Sequence, residues 1–172
     1  LKVIFLSATM PPFDYGLSEK NQPGRLSVAP AAKIERYQVE QAGAMDEQMV
    51  AAYLVNYQPK QPVSQAAIVN TITDAYLVYQ SLARQVDSSA LKLLHGMMAP
   101  LHKRVEIEKI KALSSRKESE RKRLYVVSTQ ILEAGVDLSF QHIMRALPIL
   151  PSIIQAAGRV NRHFGGAMGL LT

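Results

Sequence analysis

Two arginines three positions apart, Arg159 and Arg162, have the residue type and spacing that suit phosphate binding. A guanidinium group is planar and permanently charged, so it presents fixed pairs of donors to phosphate oxygens. A helix over residues 153–163 would place both arginines on one face with Gln155, which precedes them by one turn. Gly158 is a poor helix former, so its presence in such a helix favours close approach of a ligand or neighbouring chain.

The same residues fit interpretations that need no ligand. An arginine pair of this spacing is common on the solvated face of a surface helix. Gln155 also fits a capping box with Ser152 at the start of a helix. The phosphate-binding interpretation is favoured because a second polar segment precedes the arginines.

That second segment begins with the apolar run Leu124 to Ser128, which predicts a buried strand followed by a polar loop. Loops after the carboxyl ends of strands are where open α/β sheets bind ligands. Thr129 and Gln130 offer hydroxyl, amide and main-chain donors to phosphates, and Asp137 can accept a hydrogen bond from a ribose hydroxyl. The alternative without a ligand makes Thr129 a turn residue and Asp137 a loop cap.

The pattern Gln-x-x-Gly-Arg-x-x-Arg at 155–162 resembles the last motif of superfamily 2 helicases. Residues 128–140, Ser-Thr-Gln-x-x-Glu-Ala-Gly-Val-Asp-Leu-Ser-Phe, resemble the motif before it. Together with Arg-Ala-Leu-Pro at 145–148, these motifs are similar in sequence to those of the CRISPR-associated helicase-nuclease of type I interference systems. The resemblance extends along nearly the whole chain. It implies the second, C-terminal RecA-like lobe of an ATP-dependent DNA helicase.

The departures from the general pattern argue against the RNA helicase branch. Those enzymes usually carry a basic residue at the position of Ala156, and Thr-Gly at the positions of Val160 and Asn161.

At the ATP site, the resemblance implies catalytic contacts from Gln155, Arg159 and Arg162. It also implies cofactor contacts from Gly135 and Asp137, which join the two arginines around the nucleotide.

For single-stranded DNA, the resemblance implies contacts from polar residues that follow strands. These are Asn70, Thr71, His95, Ser128, Thr129 and Gln130. A histidine in the position of His95 is more often a structural loop residue than a catalytic base, so only a contact to the DNA strand is expected of it. Ser7, Ala8 and Thr9 are similar to a first-lobe motif that couples the ATP state to lobe movement.

Strand and helix patterns alternate from residue 35 to residue 170, which predicts an α/β fold. The predicted strands are Glu35–Glu40, Ala66–Asn70, Leu91–His95, Leu124–Ser128, His142–Arg145 and Ala167–Leu171. The predicted helices are Asp46–Asn56, Ile72–Val86, His102–Leu113 and Ile153–His163. We therefore expect a RecA-like lobe with a mostly parallel β-sheet and helices on both faces.

The expected domain organisation has three parts. Residues 1–12 are expected to be the truncated last strand and motif of the preceding RecA-like lobe. Residues 13–30, rich in Gly, Pro, Ser and Asn, are the expected linker, and residues 31–172 form the second lobe. A first-lobe motif at the very start implies a fragment of a larger protein.

Composition narrows the classes of function. There is no cysteine, so a disulfide framework and a cysteine-ligated metal site are excluded, and the four histidines have no metal-ligand spacing. Apolar runs are too short to cross a bilayer and no signal-peptide pattern is present, so a cytoplasmic protein is expected. The formal charge of +6 favours binding to a polyanion. Aromatic residues are too scattered to form a base-stacking groove, which favours contacts to the phosphate backbone.

The sequence lacks the glycine-rich phosphate loop and the acidic pair that hold ATP and Mg²⁺ in this class of enzyme. The chain alone is therefore expected to be inactive, with Mg²⁺ held by the absent first lobe. The partners implied by the resemblance are single-stranded DNA, that first lobe, a metal-dependent nuclease domain of the same protein, and a CRISPR RNA-guided surveillance complex.

Two other functions remain open. The chain could be a lobe of another superfamily 2 translocase or RNA helicase, which would keep the same motifs. It could also be a non-catalytic RecA-like adaptor domain, although the intact arginine pair argues against that loss of activity.

Overall fold

The computed structural model describes residues 35–59, 63–114, 122–133, 136–147, 150–162 and 168–172. All of them belong to one compact unit, Glu35–Thr172. The predicted coupling motif Ser7, Ala8 and Thr9 and the predicted linker 13–30 lie outside the described residues. Gly135, predicted to contact the cofactor, lies outside them as well.

The described strands form one parallel sheet of six strands in the order β1-β6-β5-β2-β4-β3. Their bounds are β1 Tyr37–Val39, β2 Ser64–Ile68, β3 Leu91–Leu94, β4 Leu124–Ser128, β5 His142–Arg145 and β6 Gly169–Leu171. Because all strands run the same way, their carboxyl ends lie along one edge of the sheet. This carboxyl edge is where a parallel sheet is expected to bind ligands.

Four α-helices cover the sheet on its two faces. They are α1 Glu47–Asn56, α2 Ile72–Ala83, α3 Pro100–Ser114 and α4 Leu150–Ala157. Helices α1 and α2 bury apolar residues with one set of strand side chains. Helices α3 and α4 pack against the opposite set. The fold class predicted from the sequence, a RecA-like lobe with helices on both faces, is confirmed.

Successive side chains along a strand point to opposite faces of the sheet, so each strand contributes residues to the cores on both faces. In β2, Ala66 and Ile68 belong to the core beneath α3 and α4, whereas Ala67 belongs to the core beneath α1 and α2. In β4, Val126 and Val127 divide in the same way. Central parallel strands with apolar residues on successive positions are buried on both sides.

Short polar side chains fix the starts of the first two helices. The Asp46 carboxylate accepts a hydrogen bond of 2.7 Å from the Met49 amide and begins α1. The Thr71 hydroxyl accepts one of 3.0 Å from the Asp74 amide and begins α2. These contacts satisfy main-chain donors that have no partner inside a helix. None of the helices in the described parts of the chain has the length and apolarity needed to cross a membrane.

The predicted helix Ile153–His163 is wrong at both ends. Helix α4 begins at Leu150, so Ser152 lies inside the helix and cannot form the predicted capping box with Gln155. It ends at Ala157, so neither arginine of the motif is helical. Within α4, Ile154 is 47% exposed, whereas Ala156 and Ala157 are buried.

The helix stops because Val160 is more stable in a strand-like position. Its side chain is fully buried and its main chain forms a parallel bridge with Phe140. The Phe140 amide donates to the Arg159 carbonyl, and the Asn161 amide donates to the Phe140 carbonyl. Asn161 has a φ of 43°, in the left-handed region that asparagine tolerates better than most residues.

Candidate functional site at the carboxyl edge and the arginine turn

Polar residues predicted to contact nucleic acid follow the carboxyl ends of β2, β3 and β4. Asn70 and Thr71 follow β2, His95 follows β3, and Thr129 and Gln130 follow β4. Strands β2 and β4 are adjacent, and β4 is adjacent to β3. The sheet therefore brings these segments together along the carboxyl edge, although they are far apart in sequence.

Asn70 and Thr71 are exposed, but each already has a local partner. The Asn70 amide carbonyl accepts a hydrogen bond of 2.8 Å from Arg145 Nη1. Its amide nitrogen donates to the Leu147 carbonyl over a longer distance of 3.4 Å. Asn70 is thus oriented by residues from the end of β5, whereas Thr71 is held by its role as the helix cap.

Ser128 differs from the other predicted contacts because it is fully buried. Its hydroxyl donates to the Leu94 carbonyl at 2.8 Å, with the Thr129 carbonyl at 3.0 Å. The side chain therefore joins the ends of β3 and β4 and does not reach solvent. Thr129 is 7% exposed and its hydroxyl does not cap the turn that follows, while Gln130 is exposed.

His95 is half-buried, and its Nδ1 atom is inaccessible to solvent without a hydrogen-bond partner among the described residues. It lies in a cavity of about 310 Å³ beside the edge strand β3, which His102 and Glu106 also line. The described residues hold no group of three or more His, Asp or Glu side chains that could bind a metal ion.

The connection from β4 to β5 passes over β2, which lies between those strands, and its described residues contain no α-helix. The 3₁₀ turn Gln130–Leu132 is followed, over residues 136–139, by chain without regular secondary structure. Leu132, Val136 and Leu138 anchor this crossover in the core shared with α3 and α4. The crossover therefore runs from Thr129 at the carboxyl edge to Phe140, which pairs with the segment that carries the arginines.

The arginine turn, residues 158–162, follows α4 and is held by main-chain contacts to this crossover. Besides the bridge between Phe140 and Val160, the Arg162 amide donates to the Ser139 hydroxyl at 3.0 Å. Gln155 stays exposed on α4. The structure thus brings both arginines together by a turn and a strand-like bridge, and not by a helical face.

Arg159 is partly buried and only partly satisfied. Its Nη2 atom donates to the Glu133 carbonyl at 3.2 Å. Its Nη1 atom is buried and has no hydrogen-bond partner among the described residues. Burial lowers the pKa of Arg159, the charge of Arg162 lowers it further, and the Asp137 carboxylate opposes both effects. The guanidinium group nevertheless remains charged, as arginine does in proteins.

Arg162 is more exposed and pairs with the second predicted cofactor residue. Its Nη1 atom lies 3.3 Å from Asp137 Oδ1, with 40% and 66% of the two side chains exposed. An exposed pair of this kind contributes little to stability and can be exchanged for a ligand at low cost. Both groups therefore remain accessible to a bound anion or a sugar hydroxyl.

These features suit a phosphate group. Two guanidinium groups lie close enough for one to perturb the other, and one has a buried donor that lacks an acceptor among the described residues. Unsatisfied buried donors are rare in proteins, and a phosphate oxygen would supply the missing acceptor.

The sequence interpretation missed two residues that the structure places between the predicted sites. Glu133 and Arg145 form an ion pair with 2.6 Å between Arg145 Nε and Glu133 Oε1. Their side chains are only 3% and 2% exposed. The available signal was the presence of Arg145 at the end of an apolar strand, since charged residues are almost never buried unless they are paired.

Comparison with known proteins identifies the family. A family model described as CRISPR-associated nuclease/helicase Cas3, C-terminal, matches residues 62–165. The CRISPR-associated nuclease/helicase Cas3 of Haloferax volcanii is 35% identical over 105 residues, covering 56% of this chain and 11% of the relative. The protein of the same name from Methanothermobacter thermautotrophicus is 31% identical over 96 residues, with the same coverage. The chain thus spans about a tenth of the length of these relatives.

Solved structures show the same fold. Cas3 of T. fusca aligns with a TM-score of 0.67 at 23% identity, covering 83% of this chain and 19% of that one. The C-terminal domain of the DEAD-box protein Dbp5 aligns with a TM-score of 0.58 at 19% identity, covering 80% of this chain and 74% of that one. The family match over residues 62–165 and the shared fold agree with the predicted resemblance. The chain belongs to the family of the C-terminal region of the CRISPR-associated nuclease/helicase Cas3.

Proposed function

We propose that this chain is the second lobe of an ATP-dependent DNA helicase or translocase that unwinds or reels in DNA during CRISPR interference. The observation that carries the proposal is the arginine turn, where Arg159 has a buried donor without a described acceptor. Family membership supports the assignment, because the matched relatives are named nuclease/helicase. Solved Cas3 structures with ATP, ADP and AMPPNP indicate that related proteins bind a nucleotide.

In this proposal ATP supplies the phosphoryl group whose hydrolysis drives movement, and a first RecA-like lobe holds the Mg²⁺ ion. Arg159 and Arg162 act as arginine fingers that stabilise negative charge on the transferred group. Gln155 orients the reacting groups, and Asp137, released from Arg162, accepts a hydrogen bond from the ribose. Gly135 completes the nucleotide contacts.

The proposed DNA contacts are polar groups at the carboxyl edge, all of them exposed or half-buried except Thr129, which is 7% exposed. They are Asn70, Thr71, His95, Thr129 and Gln130. Ser128 supports them indirectly, because its hydroxyl bonds to main-chain carbonyls in the sheet. Recognition through the phosphate backbone would make binding independent of sequence. The remaining proposed partners are a metal-dependent nuclease domain of the same protein and an RNA-guided surveillance complex.

The test is made in a protein that joins this chain to its first lobe. Replacing Arg159 or Arg162 with alanine should reduce DNA-stimulated ATP hydrolysis by roughly a hundredfold or more, the magnitude typical of arginine fingers. Affinity for single-stranded DNA without nucleotide should be retained. Arg84→Ala is the matched control, because Arg84 is exposed directly after α2, at the opposite end of that helix from Thr71.

Normal hydrolysis combined with lost DNA binding would contradict the arginine-finger assignment. The two arginines would then be contacts to the DNA backbone. A stronger stimulation by single-stranded RNA than by DNA would instead favour the RNA helicase alternative.

A further inference from the structure

A buried polar connection links the carboxyl edge to the arginine turn. Its centre is the ion pair between Glu133, in the crossover, and Arg145, the last residue of β5. The ends of this connection are Asn70 on one side and Arg159 on the other. None of its central atoms belongs to the residues proposed above to contact ATP or DNA.

Arg145 holds the DNA side of the connection. Its Nη1 atom lies within 2.8 Å of Asn70 Oδ1, 3.3 Å of the Ile68 carbonyl and 2.7 Å of its own neighbour's carbonyl at Ala146. This guanidinium group therefore hydrogen-bonds to the end of β2 and fixes the orientation of Asn70. A change in the position of Asn70 on binding a strand would be transmitted directly to Arg145.

Glu133 holds the nucleotide side. Its carboxylate contacts Arg145, and its main-chain carbonyl accepts the hydrogen bond from Arg159 Nη2 at 3.2 Å. A movement of the Glu133 side chain that shifts its main chain would therefore displace Arg159. Because Glu133 lies in a connection whose described residues lack an α-helix, fewer regular main-chain hydrogen bonds resist such a shift.

Stability alone is a poor explanation for this arrangement. Burying an ion pair removes both charges from water, and apolar residues of the same volume commonly fold at least as well. Arg145 also keeps a buried Nη2 donor without a hydrogen-bond partner among the described residues. Burial lowers the pKa of Arg145, and the adjacent Glu133 carboxylate opposes that effect. A charged, incompletely satisfied group between two sites is better suited to transmit movement.

We propose that Glu133 and Arg145 are positioning residues that couple strand binding at Asn70 to the placement of Arg159. The inference rests on the proposed function, because it assumes that ATP binds at the arginine turn and DNA at the carboxyl edge. Coupling of this kind is reciprocal: bound nucleotide must change DNA affinity by the same factor as DNA changes nucleotide affinity.

The experiment measures that factor in the complete two-lobe protein. The dissociation constant for a single-stranded oligonucleotide is determined with and without a non-hydrolysable ATP analogue, and their ratio is the coupling factor. Arg145→Lys keeps a charge for Glu133 but loses the planar fork that reaches Asn70 and β2. The double variant Glu133→Gln with Arg145→Met removes both charges together, so no unpaired charge remains in the core.

The coupling factor should fall from about tenfold in the unsubstituted protein to about one in both variants, within the range known for coupled sites. The affinity for DNA alone and for the analogue alone should be retained. The matched control is Glu108→Gln with Lys111→Met, which removes an exposed ion pair on α3. The melting temperature of each variant verifies that it is folded.

Each other outcome overturns the inference in a recognisable way. Variants that keep the coupling factor would show that the pair transmits nothing, while leaving the proposed function intact. Variants that lose both separate affinities and melt early would show a purely structural role. An unsubstituted protein without coupling would overturn the proposed function together with the inference.

Discussion

Strand β5 carries two buried polar side chains three positions apart, His142 and Arg145. Hydrogen bonds hold the first, whereas an ion pair holds the second. At its start, His142 is fully buried, with Nδ1 2.9 Å from Gln65 Oε1 and Nε2 3.1 Å from the Thr172 hydroxyl. At its end, Arg145 is buried as a charge, paired with Glu133 through Nε, and its Nη2 donor has no hydrogen-bond partner among the described residues.

The two groups show how burial can serve different purposes. Burial lowers the pKa of His142 to about 4, so the ring is neutral at neutral pH and both its nitrogens have partners. Gln65, its neighbour, also donates to the Leu54 carbonyl at the end of α1. We call these residues, His142, Gln65 and Thr172, a closed network, because both ring nitrogens have partners within it. The network fixes α1 relative to the sheet. The Arg145 network is open, and it lies between the two proposed ligand sites.

The largest expected effect comes from removing one charge of the open network. Glu133→Gln leaves Arg145 as an unpaired buried charge, which should lower the free energy of unfolding by about 3–5 kcal/mol. Adding Arg145→Met should recover most of the loss, because no charge then remains buried. Chemical denaturation of the 172-residue chain at neutral pH measures both changes. If Glu133→Gln costs no more than Glu108→Gln, a change in an exposed pair, the buried pair is not what holds this edge.

The second-largest effect is expected from acid, which should protonate His142 and disrupt the closed network. In the unfolded chain His142 takes up a proton below about pH 6.5, whereas in the folded chain it resists protonation down to a pKa of about 4. Its contribution to stability is therefore complete above pH 6.5 and is lost as the pH falls towards 4. The gap between those pKa values corresponds to about 3 kcal/mol.

Denaturation at several pH values from 7.5 to about 4 measures this loss, and His142→Gln is the reference because it removes the titrating ring. Carboxylates titrate in both proteins, so only the difference between the two curves reports His142. The difference should diminish with acidification. A constant difference across that range would mean that His142 does not resist protonation in the folded chain.

The smallest expected effect concerns the surface that the open network supports. Thr129→Ala should weaken binding of single-stranded DNA by about tenfold, the loss expected for one hydrogen bond to a charged phosphate. Nucleotide affinity should be retained. Binding by the unsubstituted chain should be independent of sequence and should weaken steeply with salt, because released counterions supply most of the affinity.

Fluorescence titrations at two salt concentrations measure these DNA affinities. Ser89→Ala is the control, since it removes an exposed hydroxyl in the turn Ser88–Ala90, next to the amino end of β3. Equal losses from both substitutions would place the DNA elsewhere on the lobe. Affinity that does not change with salt would argue against backbone contacts.

The sequence was sufficient where local and tertiary preferences agree. The bounds of β4 and β5 match the prediction, Asp46 begins α1 as its polar side chain suggests, and the family and fold class are confirmed. It was insufficient where a distant partner decides. Val160 leaves the helical pattern because Phe140, twenty positions earlier, offers it a buried bridge.

The candidate site, like the fold, could be predicted only in part from the sequence. Motif residues were identified by type and spacing, but their surroundings depend on which strands become neighbours. Ser128 is an example, because its hydroxyl is taken by the Leu94 carbonyl of the adjacent strand. The pairing of Glu133 with Arg145 likewise follows from the crossover over β2, which no local pattern indicates.

The sheet order also has a consequence for how the site assembles. The arginine turn lies between α4 and β6, and β6 pairs with β1, whose residues are separated from it by more than a hundred positions of chain. Contacts between distant segments form slowly, because closing the long loop between them costs chain entropy before the contacts can stabilise the structure. During synthesis the strands β2, β3 and β4 can associate first, while β5 and β6 emerge from the ribosome later. We therefore expect Arg159 and Arg162, the proposed nucleotide contacts, to reach their places after the central sheet has formed.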